Sequence, residues 1–425
     1  MDARPEPSTS NALARALTGS FPAFVLLQGA LYAAYGTESP FLPSFLGERG
    51  LTPGEIGIAL AAGTLMRLGA GPIAGHLADR YDAARAVLAT AAAAAGLISF
   101  AYLAGFGFWP LLGVSVLHAS AIAALAPLAD ALALSAAERE GTFSYGWVRG
   151  AGSAAFVLGT LSSGLLVAQA GLASIIVSSG VLFLVMAIAA ARVPAAPPRD
   201  VTPSLGRGGI RELLALAPFR RMLLVAALVI GSHALNDGFA VIRWREAGIG
   251  PGTISLLWSE AVASEVLVFV LAGPWLLERL GVARAALLAA GLGALRWSAM
   301  ATTASVPVLV LIQPLHGLTF ALLHLAAMHL ITATVPERLS ATAQTLYGTL
   351  GLGIASAVIT AAGGRSMAAS ARVRSGPWQS SACSLYRWRS ACHAPPRPSD
   401  RCRKPAFPSR ADRCISADVR SFPRN

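Results

Sequence analysis

The chain has 425 residues, of which 55% are apolar and only 13% charged, with a mean hydropathy of +0.61. Soluble domains carry roughly 25% charged residues, so composition argues against a water-soluble fold and for an integral membrane protein. The net charge of +12 invites a nucleic-acid partner, yet residues 365–425 hold 13 of the 33 Lys and Arg and 3 of the 21 Asp and Glu, which leaves residues 1–364 near neutrality without a basic face.

The first 20 residues, MDARPEPSTSNALARALTGS, are polar and are read as a cytoplasmic tail, not a cleaved signal peptide. A spanning helix needs ~20 mostly apolar residues. By that measure eleven segments follow: 21–46, 55–78, 86–106, 108–136, 148–169, 171–192, 219–242, 253–277, 283–303, 305–334 and 341–363. None alternates as a barrel strand would, so helices are expected throughout. The Pro- and Arg-rich stretch 193–218 divides a half at 21–192 from a half at 219–363, and residues 364–425 form a basic Arg/Ser/Pro/Cys-rich tail. With the N-terminus inside, fifteen arginines of the N-terminal tail and the connections fall on the cytoplasmic side and only Arg49, Arg243 and Arg245 outside, as the positive-inside rule requires.

Two short charged hinges stand out. GHLADRYDAAR (75–85) and ERLGVAR (278–284) each follow the second helix of a half, and Asp79-Arg80 with Arg85 lies 199 residues before Glu278-Arg279 with Arg284. A repeat at fixed offset is the trace of two parallel halves around a central site, the plan of a secondary transporter. A carboxylate at a helix end can neutralise the exposed N–H groups of a neighbour while arginines hold the opposing half. Gly75, Asp79, Arg80, Arg85, Glu278 and Arg279, with Arg149, form the expected gating set. The competing reading is a solvated positive-inside loop.

The first hinge resembles the signature between helices 2 and 3 of the major facilitator superfamily, with Tyr81-Asp82 where Gly-Arg is usual. PFLPSFLGERGLTPGEIG (40–57), YGWVRGAGSAAF (145–156), SEVLVF (264–269), LRW (295–297) and PLHGLTFALLH (314–324) are similar to the phenylpropionate permease-like branch, itself related to nucleoside:proton symporters. The resemblance implies an all-α integral membrane protein of two pseudo-repeated six-helix halves, with eleven helices recognisable here and the twelfth missing. It implies a multi-pass protein of the bacterial inner membrane.

Charges inside a bilayer are costly and mark function by default. Arg67 lies about 18 Å along the second helix from Asp79, and Arg296 is equally deep in the ninth segment. Either could grip a substrate carboxylate, or pair with a neighbouring helix for assembly alone. Glu265 and Glu38 are the candidate proton carriers, Glu265 first, because a desolvated carboxylate holds a proton more readily. Gln313, His316, Phe320 and His324 share one helical stripe that suits a cavity for a small aromatic acid, and His233 with Asn236 makes a second cluster beside Asp237. No nucleophile elbow, zinc-protease or Walker motif is present, and Cys383, Cys392, Cys402 and Cys414 have no zinc spacing.

The expected protein is therefore a monomeric, proton-coupled carrier of a small organic acid, with an aromatic acid favoured. It uses no cofactor, metal or nucleic acid; the partners are substrate, protons and lipid bilayer. A nucleoside:proton symporter and a transport-inactive truncated product are the alternatives; an intramembrane enzyme is disfavoured. The tail carries one further expectation, that residues from about 365 onward are read in a shifted frame. Taking the third base of each codon with the first two of the next, Met367-Ala368 forces Gly and Trp378-Gln379 forces Ala, and the shifted run can read LYGGIGARAFWxMA, similar to the branch's approach to its twelfth helix.

Overall fold

The computed structural model describes residues 19–194 and 207–374, so the four cysteines and nearly all of the basic tail with its frame-shift expectation lie outside the described residues. The described residues up to Ser370 belong to one compact unit, whose last helix runs on to Arg374. Every regular element among the described residues is helical.

The N-terminal half opens with α1 (Phe21–Glu38) and the short α2 (Leu42–Glu48). The long α3 (Pro53–Arg80) starts on a capping box: Thr52 Oγ1 accepts from Glu55 N, and Glu55 Oε2 accepts from Thr52 N at 2.8 Å. Then come α4 (Ala84–Ala104), α5 (Phe108–Ile122), α6 (Leu125–Glu140), α7 (Tyr145–Ala170) and α8 (Ala173–Arg192). Here α1 packs on α7 and α8, with glycine at the α1–α7 crossing; a Cβ on Gly36 would collide with the Phe156 carbonyl.

Within the central stretch lies α9 (Arg207–Ala215), followed by α10 (Ala217–Val229), α11 (His233–Glu246), α12 (Pro251–Leu267), α13 (Gly273–Thr302), α14 (Val306–Ile312), α15 (Leu315–Thr334), α16 (Ser340–Leu346) and α17 (Ala355–Arg374). Single spans are interrupted between α5 and α6, α10 and α11, and α14 and α15, and by π turns at Val268–Ala272 and Tyr347–Ile354. Such breaks free backbone carbonyls that must find partners inside a membrane. Polar residues gather there: Ser232 donates to Val229 O at 2.6 Å, and His233 Nδ1 reaches the same oxygen at 3.0 Å.

Nine helical runs among the described residues are long and apolar enough to cross a membrane, against the eleven segments expected. The difference has two causes. The eighth and ninth segments are joined as one run, 251–302, around the non-helical Gly281, and the first helix is made less apolar by Gln28, two tyrosines and Glu38. The two hinges repeat in geometry as well as sequence: Asp82 at φ 47° is the one non-glycine residue with positive φ among the described residues, and Gly281, 199 positions later, has φ 69°.

Three apolar clusters build the interior. One joins Phe24, Leu31, Leu128 and Phe183 in the first half, and one joins Phe219, Leu322, Ala326 and Tyr347 in the second. The third, at the end away from the hinges, joins both halves through Phe41, Phe45, Trp244, Ile254 and Trp258. At this end Arg245 Nη2 pairs with Glu48 Oε1 at 3.2 Å, Arg49 Nη1 donates to Leu103 O at 2.7 Å, and Arg243 donates to the Met300 and Ala301 carbonyls. At the hinge end Asp79, Arg80, Glu278 and Arg279 are exposed, and neither acid makes an ion pair among the described residues.

Candidate functional site

A cavity of about 650 Å³ lies between the halves, lined on one side by Tyr35, Glu38, Arg67, Tyr102 and His118 and on the other by Asp237, Gly353 and Thr360. Its size falls in the range of small-molecule sites. Most of the wall is apolar, from residues such as Leu42, Leu60, Ile122 and Leu352. Arg67 is exposed to this space, and its one hydrogen bond among the described residues goes to Thr64 Oγ1 at 3.5 Å. The offset of 199 that relates the hinges also carries Glu38 onto Asp237, so the two repeats present a carboxylate to one cavity.

The other membrane arginine is placed differently. Arg296 is fully buried and does not line the cavity. Nη2 donates to Gln313 Oε1 at 2.6 Å, Nη1 donates to His316 Nδ1 at 3.1 Å, and the guanidinium lies 4.6 Å from the Trp297 ring centre. An arginine only donates, so His316 Nδ1 must be a bare acceptor and its hydrogen must sit on Nε2. That nitrogen faces Glu265 Oε2 at 3.3 Å. Arg296 thereby sets the tautomer of His316, whose Nε2–H is turned toward Glu265.

The expected stripe on α15 forms as a column: His316 stacks on Phe320 with centroids 5.7 Å apart and planes at 6°, and Phe320 on His324 at 6.4 Å and 7°. His324 Nδ1 meets the Tyr347 hydroxyl at 3.3 Å. His233 joins edge-on to His316 at 5.0 Å and meets Thr319 Oγ1 at 2.9 Å. Asn236 donates to Asp237 Oδ1 at 3.2 Å, and Asp237 lies within electrostatic reach of Arg296 and Glu265. Asp237 thus links the cavity to the buried network.

Arg149 lies over the Tyr32 ring at 4.3 Å and donates to Ser153 Oγ at 3.2 Å, within electrostatic reach of Glu265. It belongs to the interior face of α7, which packs along α12. Two hinge arginines stay on their own segments, Arg80 5.9 Å from the Tyr81 ring centre and Arg279 4.4 Å from that of Trp275, while Arg85 reaches the end of α8 and donates to Val193 O at 3.4 Å. A Cβ on Gly75 would meet nothing within 4 Å.

Some polar groups escaped the sequence reading. His118 meets Glu38 and Ser99 beside Tyr102, and Asp130 accepts from Gln28 Nε2 at 2.7 Å. The signal that could have found them is a lone ionisable residue inside an apolar run, His118 in SVLHASAI and Asp130 in APLADALAL.

Known proteins agree with this architecture. A model described as the MFS_1 like family matches residues 29–373. The probable 3-phenylpropionic acid transporter of Escherichia coli is 32% identical over 333 residues, covering 77% of this chain and 86% of that protein. The maltose permease of Geobacillus stearothermophilus is 29% identical over 345 residues, covering 81% and 86%. The crystal structure of the nucleoside transporter NupG matches with a TM-score of 0.72 at 16% identity, covering 81% of this chain and 90% of that one. The chain belongs to the MFS_1 like family and is a membrane transporter of the major facilitator superfamily.

Proposed function

We propose that the chain takes up a small organic acid together with protons by alternating access, an aromatic monocarboxylate being the favoured substrate. One observation carries the substrate class: a guanidinium, Arg67, faces a largely apolar cavity with no carboxylate at ion-pair distance among the described residues. A carboxylate gripped by Arg67 and an apolar body against Leu42, Leu60 and Leu352 would satisfy both parts of the wall. The name of the Escherichia coli relative supports the same class.

Glu265 is assigned the coupling proton, since Arg296 fixes His316 and leaves the carboxylate as the titrating partner. The Asp79 and Glu278 hinges gate the cytoplasmic side. The charge distribution supports an N-terminus in the cytoplasm of a bacterial inner membrane, and the closed end, sealed by the Phe41–Trp258 cluster, then faces outward.

A second reading takes a nucleoside or other neutral polyol, because Glu38 and Asp237 offer carboxylate acceptors to the same cavity. Reconstituted protein under an imposed proton gradient distinguishes the two with 3-phenylpropionate, uridine and maltose as probes. Gradient-driven accumulation of 3-phenylpropionate is expected, and Glu265→Gln should abolish it while leaving exchange. Accumulation of uridine or maltose alone overturns the acid reading, and full accumulation by Glu265→Gln removes Glu265 from the coupling.

A further inference from the structure

Arg67 accounts for the carboxyl end of an aromatic acid, but the opposite wall of the cavity holds a group that such a ligand leaves unanswered. Of the two acids that line the space, Glu38 is withdrawn: its side chain is 9% exposed and stands 3.7 Å from His118 Nδ1. Asp237 on α11 is instead exposed into the cavity. Its Oδ1 accepts from Asn236 Nδ2 at 3.2 Å, and it has no cation at ion-pair distance among the described residues. Arg296, whose charge it feels, spends both Nη atoms on Gln313 and His316. The separation of Asp237 from Arg67 follows from α3. A Cβ on Gly238, next to Asp237, would lie 3.4 Å from Leu60 Cδ1, which puts Asp237 level with Leu60. Arg67 comes seven residues later, about 10 Å along the helix. Its guanidinium bends back to Thr64, which narrows the axial gap to about 6 Å at 1.5 Å per residue. The two groups also belong to opposite halves, so a ligand whose carboxylate sits on Arg67 meets Asp237 at its other end.

We propose that Asp237 selects a phenolic acid: the preferred substrate is an aromatic monocarboxylate with a ring hydroxyl, held by Arg67 at the carboxylate and by Asp237 at the hydroxyl. This rests on the reading of the chain as a carrier of aromatic acids. A bare phenyl ring against Asp237 strips water from a carboxylate and returns no hydrogen bond, which costs more than a merely absent contact. A ring hydroxyl donates to it and removes that cost. Sites built to bond a hydroxyl reject the analogue that lacks one for this reason. An acid with its hydroxyl or amino group on the carbon beside the carboxylate does not serve, because that donor is fixed at the Arg67 end. A nucleoside or polyol brings donors for Asp237 but no anion for Arg67. An ionised carboxylate only accepts, so the ring oxygen must carry its own hydrogen, and the methyl ether of the same acid forms no bond there.

Titration calorimetry on the purified chain in nanodiscs tests the assignment, with 3-phenylpropionate, its para- and meta-hydroxylated forms and their methyl ethers as probes. At pH 7 a phenol keeps its hydrogen, since its pKa lies near 10. The better of the two hydroxylated acids should bind about tenfold or more tighter than 3-phenylpropionate, and neither ether should bind tighter than the parent acid. Asp237→Leu, which has no acceptor, should bring the hydroxylated acids and the parent to within about threefold of one another. Asp237→Asn can donate as well as accept, so it should admit the ethers that the wild type rejects; this variant keeps the question open to measurement where Asp237→Leu does not assemble. A wild type that binds the parent as tightly as both hydroxylated acids overturns the role of Asp237. So does a hydroxyl preference that survives in Asp237→Leu, or a rejection of the ethers that is unchanged in Asp237→Asn. Binding of the acids without a hydroxyl preference leaves the acid-carrier reading standing, whereas a wild type that binds none of the five acids overturns that reading and the selection together.

Discussion

A guanidinium inside a bilayer needs either permanent acceptors or a charged visitor. Arg296 has the first: Gln313, His316 and the Trp297 ring surround it at 0% exposure. Arg67 has the second condition, a place on the cavity wall with one long bond to Thr64. Their substitutions should therefore fail in different ways. Arg67→Gln is expected to leave thermal stability nearly unchanged and to weaken binding of 3-phenylpropionate about tenfold to a hundredfold, the worth of one charge-assisted hydrogen-bond set at ~1.5–3 kcal/mol. Arg296→Gln should lower the melting temperature first, because Gln313 and His316 lose a donor in a buried setting. Thermal unfolding and equilibrium binding on the two purified variants check this; equal losses of affinity without loss of stability would return Arg296 to the substrate site.

At the scale of elements, the hinges depend on a turn that most residues resist. Asp82 takes φ 47° and Gly281 φ 69°. Aspartate tolerates the left-handed region because its short side chain bonds locally, and glycine has no Cβ to clash. This explains how Tyr81-Asp82 can stand where the resembling signature has Gly-Arg. Substituting valine at either position should cost about 1–3 kcal/mol, whereas Asp82→Gly should be neutral or slightly stabilising. Unfolding curves in detergent for the three variants measure it, and a valine that leaves stability unchanged at both hinges would mean the turns do not persist in solution. The hinge sequences were legible because acid and arginine sit at a fixed offset. The break between α5 and α6 was not, since Ala123-Ala124 is as apolar as the helices it interrupts, whereas Gly231-Ser232 and Gln313-Pro314 carry the glycine, serine and proline that open a hydrogen-bond ladder.

For the whole molecule, long apolar runs and their flanking charge reveal a two-half carrier, and the α15 stripe survives in the structure as a stacked column. What the sequence hid was the division of the candidate residues between a cavity and a buried network, because helical spacing tells which face a residue occupies but not what lies opposite. The same applies to the closed end. Glu48 and Arg245 come from different halves, 197 residues apart, and pair at 3.2 Å above the Phe41–Trp258 cluster. Both are partly exposed, so the pair is worth about 0–1 kcal/mol, enough to bias two nearly balanced access states by up to about fivefold. Phe45, 1% exposed in that cluster, is a reporter for opening. In a background with the four tail cysteines replaced by serine, a cysteine at position 45 should react with an impermeant maleimide about two to five times faster when Glu48→Arg sets like charges together. Combining Glu48→Arg with Arg245→Glu restores an opposite-sign pair and should return labelling to the slow rate. Equal labelling in all three proteins would leave the apolar cluster alone to close this end, with the ion pair contributing nothing to the balance between states.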